Sequence, residues 1–302
     1  MKRGTLAIAA ILVLCLATSS LTATAAGPAP SPTLECPPTR GVLAIHDVNR
    51  GRCLFHSTSV FGQDSAGPFP SCAVCHYGRD KSDRGVHLAQ ITNAAGQTEQ
   101  VLRKTPSLLK ARSDGPYGAD GRFATVQAAA HAAIVSPVEM RGTRVSDDQL
   151  DALAAFILAL PGSEPEPAPM PPLPSADALR LIALGKTVFF GRGTCVTCHA
   201  GTDLTNHRIT TDQVNLTFTG TTDPGAQFVG TGGPGEFKVP SLLFLDGDAP
   251  FMHNGALAHL GQVARFYNES LALGLTPLEV TGLEYWLRNC LDPRRSPLPR
   301  TC

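Results

Sequence analysis

Two copies of one five-residue pattern, CAVCH at 72–76 and CVTCH at 195–199, constrain this chain more than anything else in it. Two thiols at this spacing add to the vinyl groups of a haem, and the histidine that follows reaches the iron as proximal ligand. A zinc site would gather four N/S ligands in one place, and a redox dithiol has no use for the same histidine twice. The pattern therefore assigns two covalently bound c-type haems. One sits on Cys72, Cys75 and His76, the other on Cys195, Cys198 and His199, with His76 and His199 as iron ligands.

Such haem attachment suits an exported protein, and the N-terminus reads as a leader. Lys2 and Arg3 form a basic end, Leu6 to Ala17 an apolar stretch, and the small residues Ala23, Ala25 and Ala26 a cleavage site. Residues 1–26 are thus expected to be a signal peptide cleaved near Ala26, and the mature protein to be periplasmic. The apolar stretch is too short for a good transmembrane span, so no stable membrane insertion is expected. Basic and acidic residues balance at 25 each, which leaves no net field to attract nucleic acid. An oxidising compartment permits disulfides. Cys36, Cys53, Cys290 and Cys302 remain for them. Cys36–Cys53 with Cys290–Cys302 is the sequence-local pairing, and the other connectivities stay open.

The chain also repeats itself. Gly51-x-x-Leu54-Phe55, CAVCH, TPSLL (105–109) and Pro116-Tyr117-Gly118-Ala119-Asp120-Gly121 recur in the same order. Their counterparts are Gly185-x-x-Val188-Phe189, CVTCH, VPSLL (239–243) and Pro250-Phe251-Met252-His253-Asn254-Gly255. Between the copies, PGSEPEPAPMPPLP at 161–174 is too proline-rich to be helical. The expected organisation is an N-terminal haem domain at 27–160, this linker, and a C-terminal haem domain at 175–302. A helix over about 176–190 should lead into the second motif. Ser146 with Gln149, and Thr276 with Pro277 and Glu279, are helix-start signals for one closing helix per half. Few segments alternate in the manner of strands. The fold class is mainly α: two cytochrome c-like haem domains related by an internal repeat, with long loops.

This order of motifs resembles the bacterial di-haem cytochrome c peroxidases and their MauG-like relatives. The carrying segments are TPSLL, DGRFATVQAAAHAAIVSPVEM (120–140), VPSLL and APFMHNGALAHLGQVARFYN (249–268). The resemblance implies an N-terminal haem that reacts with hydrogen peroxide. It implies a C-terminal haem that relays oxidising equivalents to a protein substrate or a small redox protein acting as electron donor. It places Glu139 where the family keeps a distal carboxylate, and His253 at the family's loop histidine near the C-terminal haem. Fourteen residues after that histidine the peroxidases carry a methionine ligand and the MauG-like proteins a tyrosine. Here that residue is Tyr267, which makes it the implied second ligand of the C-terminal iron.

Several positions depart from the pattern. Ala119 stands where the family has a tryptophan between the haems, leaving Tyr117 or direct tunnelling for transfer, and Ala129 stands where it has a distal glutamine. Lys110 stands where an asparagine helps bind calcium between the domains, and Ala249 replaces a threonine before the loop proline. A lysine ammonium in the calcium position, paired with an acid such as Asp248, makes calcium less expected here. Trp286 reads as core. His87 and His207 read as surface or structural histidines, and His131 sits near Glu139 with weak reach to the distal pocket. These losses leave a second reading open, a non-catalytic di-haem electron-transfer cytochrome.

Overall fold

The computed structural model describes residues 36, 44–78, 80–160, 175–211, 223–233, 235–294 and 302. The expected signal peptide and the proline-rich segment 161–174 lie outside the described residues. Residues 35–302 form one compact unit, mostly helical, with two small sheets.

The helices are α1 Ala44–His56, α2 Cys72–Cys75, α3 Val126–Val135, α4 Asp147–Ala159, α5 Ala176–Phe190, α6 Gly225–Val229, α7 Leu260–Ser270 and α8 Pro277–Cys290. Strands β1 Val86–Thr92 and β2 Thr98–Lys104 pair antiparallel, with Leu88 opposite Leu102. Strands β3 Ile209–Thr211 and β4 Glu236–Lys238 do the same, with Thr210 opposite Phe237. The helix before the second haem motif spans the residues that the sequence suggested. Both expected capping boxes form, Ser146 with Gln149 on α4 and Thr276 with Glu279 on α8. Each satisfies backbone N–H groups that the first turn leaves open, contributing about 1 kcal/mol.

Packing follows two helix pairs, α1 on α4 and α5 on α8. Two apolar clusters result. One gathers Leu54, Phe55, Phe61, Leu153 and Phe156. The other gathers Ile182, Phe189, Phe266, Leu283 and Trp286, and Trp286, 3% exposed, lies 4.5 Å from the Phe189 ring, as a core residue should. The helices in each pair meet at a glycine. A Cβ on Gly51 would stand 1.9 Å from the Ala152 carbonyl oxygen, and one on Gly185 would stand 2.0 Å from that of Gly282. Backbone cannot yield as a flexible side chain does, so either Gly→Ala change must pry a helix pair apart. We expect Gly51→Ala or Gly185→Ala to destabilise by about 1–3 kcal/mol or more, read as a lower thermal midpoint. An unchanged midpoint would disprove this packing.

The disulfides are Cys36–Cys53 and Cys290–Cys302, the sequence-local pairing. They tie segments near the two ends of the unit, onto α1 and beyond α8. No helix among the described residues is long and apolar enough to cross a membrane.

The halves are packed as one unit because polar ties run between them. Lys238 N donates to the Ala119 carbonyl at 2.8 Å, and Lys104 N to that of His253 at 3.0 Å. His207 Nδ1 donates to the Gly115 carbonyl at 2.6 Å, which makes His207 a structural tie.

Candidate active site: one cavity carrying both haem motifs

Both C-x-x-C-H motifs face a cavity of about 790 Å³ whose walls are largely apolar. Cys72 to Cys75 form the single turn α2, and Cys195 to Thr197 a 3-10 turn, so in each motif the turn holds the thiols close and sends the next histidine inward. Among the described residues, the cysteines outside a disulfide are these four. Burial pushes three of these thiols up, Cys72 to about 12 and Cys75 and Cys195 to about 11, which keeps those three neutral.

The two histidines are held alike. His76 Nδ1–H donates to the Lys81 carbonyl at 3.0 Å, and His199 Nδ1–H to the Leu204 carbonyl at 3.1 Å. Each bond fixes the tautomer and leaves the Nε2 lone pair for a metal. Burial lowers the basicity of both rings, which favours the neutral, ligating form.

Glu139 follows the turn after α3 and faces the cavity beside the first motif. Burial raises its carboxyl above the usual range, and Arg122 is among the groups that moderate the rise. Arg122 lines the same wall, and its guanidinium is anchored on the fully buried carboxylate of Asp120. Met140, next in sequence, places Sδ 3.9 Å from Cys72 Sγ. Ala119, Ala129 and Tyr117 line the cavity too. Tyr117 donates its hydroxyl to the Ala111 carbonyl at 2.9 Å.

In the second half, α7 turns Leu260, Val263, Ala264 and Tyr267 toward the cavity, the spacing of one helical face. Met252 and His253 reach it from the preceding loop. The His253 ring stacks on Phe237, 3.8 Å away and 8° from parallel, and its Nε2 lies 3.6 Å from Asp223, which pairs with Arg103 of β2. His253 is thus buried at the seam of the two halves, its ring facing Phe237 and Asp223.

Two histidine readings need correcting. His87 is not a free surface residue: it lines the cavity and shares a 2.6 Å hydrogen bond with Asp83, four residues before it in the turn leading to β1. His131 is exposed on α3 and does not line the cavity, because the helix turns its alanines inward instead.

Three comparisons bear on this arrangement. Residues 46–159 match the family described as di-haem cytochrome c peroxidase. The chain is similar to this family over that part of its length. A curated cytochrome-c peroxidase, IdrP2 of Denitromonas iodatirespirans, is 32% identical over 130 residues, covering 33% of this chain and 35% of the relative. The chain thus matches about a third of that relative's length. Among solved structures, a MauG-like protein associated with microbial copper homeostasis superposes with TM-score 0.61 at 19% identity, over 90% of this chain and 98% of its own. The di-haem peroxidase BthA of Burkholderia thailandensis E264 superposes with TM-score 0.60 at 16% identity, over 82% of this chain and 86% of its own. These two likenesses show a shared fold.

The peroxidase family implies c-type haem, and the residues present fit it. Two free thiols and one imidazole with an open Nε2 stand at each motif, on an apolar cavity that a porphyrin would fill. Calcium finds no such fit. Lys110 Nζ stands 2.7 Å from the buried Asp248, which also pairs with Lys104, so ammonium groups occupy the neighbourhood where a cation would need oxygens. Burial opposes ionisation of Asp248, yet Lys110 and Lys104 hold its carboxyl below the usual range. Sequence alone does not single out Arg122, Arg103, Lys104 and Lys238 as residues of this cavity. The signal was present for two of them: a lysine stands two residues before the proline of each P-S-L-L segment, Lys104 and Lys238.

Proposed function

We propose that this chain is an exported di-haem peroxidase of the MauG type. Residues 27–160 would enclose a peroxide-reactive haem and residues 175–302 a haem that relays oxidising equivalents. The observation that carries the reading is Glu139, a carboxyl with a raised affinity for its proton on the same cavity wall as Cys72, Cys75 and His76.

Haem held at the two motifs would supply the redox chemistry, the reduction of hydrogen peroxide to two waters with two electrons from a donor and two protons from solvent. The proton work falls to Glu139. Its carboxylate takes a proton from one peroxide oxygen and returns it to the other as the O–O bond breaks, so that this oxygen leaves as water. A carboxyl tuned upward does this better than an ordinary one, because its two forms lie closer in energy near neutral pH. Arg122, fixed by Asp120, adds positive charge to the same wall. His76 would hold iron through Nε2, because its Nδ1–H is committed to the Lys81 carbonyl.

At the second motif His199 and Tyr267 would hold the haem iron. A phenolate oxygen stabilises ferric and higher states, which suits a relay. His253, buried against Phe237, is proposed to assist at this haem. The donor is a protein substrate or a small redox protein outside the cytoplasm. One feature favours the second reading, a non-catalytic electron carrier: Ala119 and Ala129 leave the cavity without the family's tryptophan and glutamine.

Absorption and EPR spectra of the ferric protein, before and after one equivalent of hydrogen peroxide, separate the two. The peroxidase is expected to show one high-spin haem, one low-spin haem without a thioether–iron band, and a spectral change on adding peroxide. Two low-spin haems inert to peroxide would make the chain a carrier.

A further inference from the structure

The two halves clasp one another through matched exchanges. K-x-P-S-L-L occurs at Lys104–Leu109 and at Lys238–Leu243, and D-x-P at Asp114–Pro116 and Asp248–Pro250. Asp248 of the second half pairs with Lys104 of the first and accepts from Ser107 N at 3.2 Å. Asp114 of the first half lies 2.7 Å from Lys238 Nζ of the second and accepts from Ser241 N at 2.6 Å. Each exchange joins one ammonium to one carboxylate.

Lys110 breaks the match. It adds a second ammonium to Asp248 at 2.7 Å, while the position after S-L-L in the other half is Phe244. Three ammoniums therefore share two carboxylates, with no side chain more than 12% exposed. Among the described residues, the charged groups acting on these lysines and on Asp248 are members of the same cluster. The seam is thus left with one positive charge in excess. A buried charge of that kind is costly unless a counter-charge completes it.

All five groups line the cavity that carries both haem motifs, and Lys110 and Asp114 act electrostatically on His199. Each ammonium has three donors, and the hydrogen bonds described for Lys104 and Lys110 use one apiece, both to Asp248. The excess repels a divalent cation and invites a carboxylate. Haem is a dicarboxylate.

We propose that the Lys104/Lys110 corner of this clasp binds a propionate carboxylate of haem, so that the seam recognises the cofactor's charged edge where relatives would hold calcium. The inference rests on the reading that the motifs carry haem. It gives Lys110 a positioning role: it fixes the haem edge and, as a cation, raises that haem's midpoint potential.

The test is resonance Raman and potentiometry on the haem-loaded full chain. Lys110→Met leaves two matched pairs and should still fold. It is expected to shift the propionate bending modes of one haem and lower its midpoint, whereas Lys110→Arg should retain the wild-type values. If Lys110→Met does not accumulate, Lys104→Gln removes a cation from the same corner and should move the same modes. Wild type should be unmoved by calcium or by a chelator. Unchanged propionate modes in a folded, haem-loaded variant would overturn the proposal, as would a calcium-dependent shift in the wild type. Purified chain without covalent haem, seen as no haemochrome spectrum, would instead overturn the cofactor reading and this inference with it.

Discussion

Replacing Glu139 by glutamine is expected to slow the reaction with hydrogen peroxide by about 10²–10⁴-fold, the usual worth of a positioned acid–base group. The amide keeps the shape of the carboxyl and part of its polarity, but it cannot accept a proton from one peroxide oxygen and hand it to the other. The pH profile should change with it. Burial raises the Glu139 carboxyl, so the ionised form that starts the reaction is lost as pH falls through that raised value. The wild-type rate should therefore fall on the acid side, at a pH above the ordinary glutamate range, and the glutamine variant should lack this limb. Stopped-flow mixing with peroxide across pH reads both. An unchanged rate with an unchanged acid limb would remove Glu139 from the mechanism.

Asp248→Ala is expected to be the most damaging single change at the seam, about 3–5 kcal/mol, because it strands two buried ammoniums at once. Lys104 and Lys110 both rely on this carboxylate, and Ser107 N loses an acceptor with it. The pH dependence has a fixed sign. The Asp248 carboxyl is held below its usual value by Lys110 and Lys104 against the opposing effect of burial. Its stabilisation is therefore fully present above the unfolded aspartate value of about 3.9, and is lost as pH falls through the lower folded one. Urea unfolding should show a wide gap between wild type and variant near neutrality that closes in strong acid. A gap that stays constant with pH would mean that the loss is one of packing, not of charge.

Lys110 reads differently in sequence and in structure. In the sequence it is a lysine where a calcium-binding asparagine is expected, paired with an acid nearby. The structure supplies that acid, Asp248, and also what the sequence left unseen: Lys104 on the same carboxylate and the matching Asp114–Lys238 pair. The aspartate two residues before the repeated proline recurs too, at Asp114 and Asp248. A single lysine or aspartate in a loop has no periodicity to mark it, and its partner lies more than 100 residues away.

The main helices and the paired C-x-x-C-H motifs are legible in local sequence. The C-x-x-C-H spacing is local, and so are the capping boxes at Ser146 and Thr276, the apolar face of α7, and the glycines at 51 and 185. Local geometry follows from neighbours a few residues apart, and the chain states those directly. Which side chains face one another is set by long-range packing. It turned His87 into the cavity and His131 out of it, stacked His253 on Phe237, and explained Gly51 and Gly185 as points where a helix backbone meets another's carbonyl. It also left the seam between the halves with one ammonium more than its carboxylates balance. Those outcomes depend on long-range register, which is set by how the helix pairs pack and by which buried charges can find a partner, and no short stretch of sequence records either.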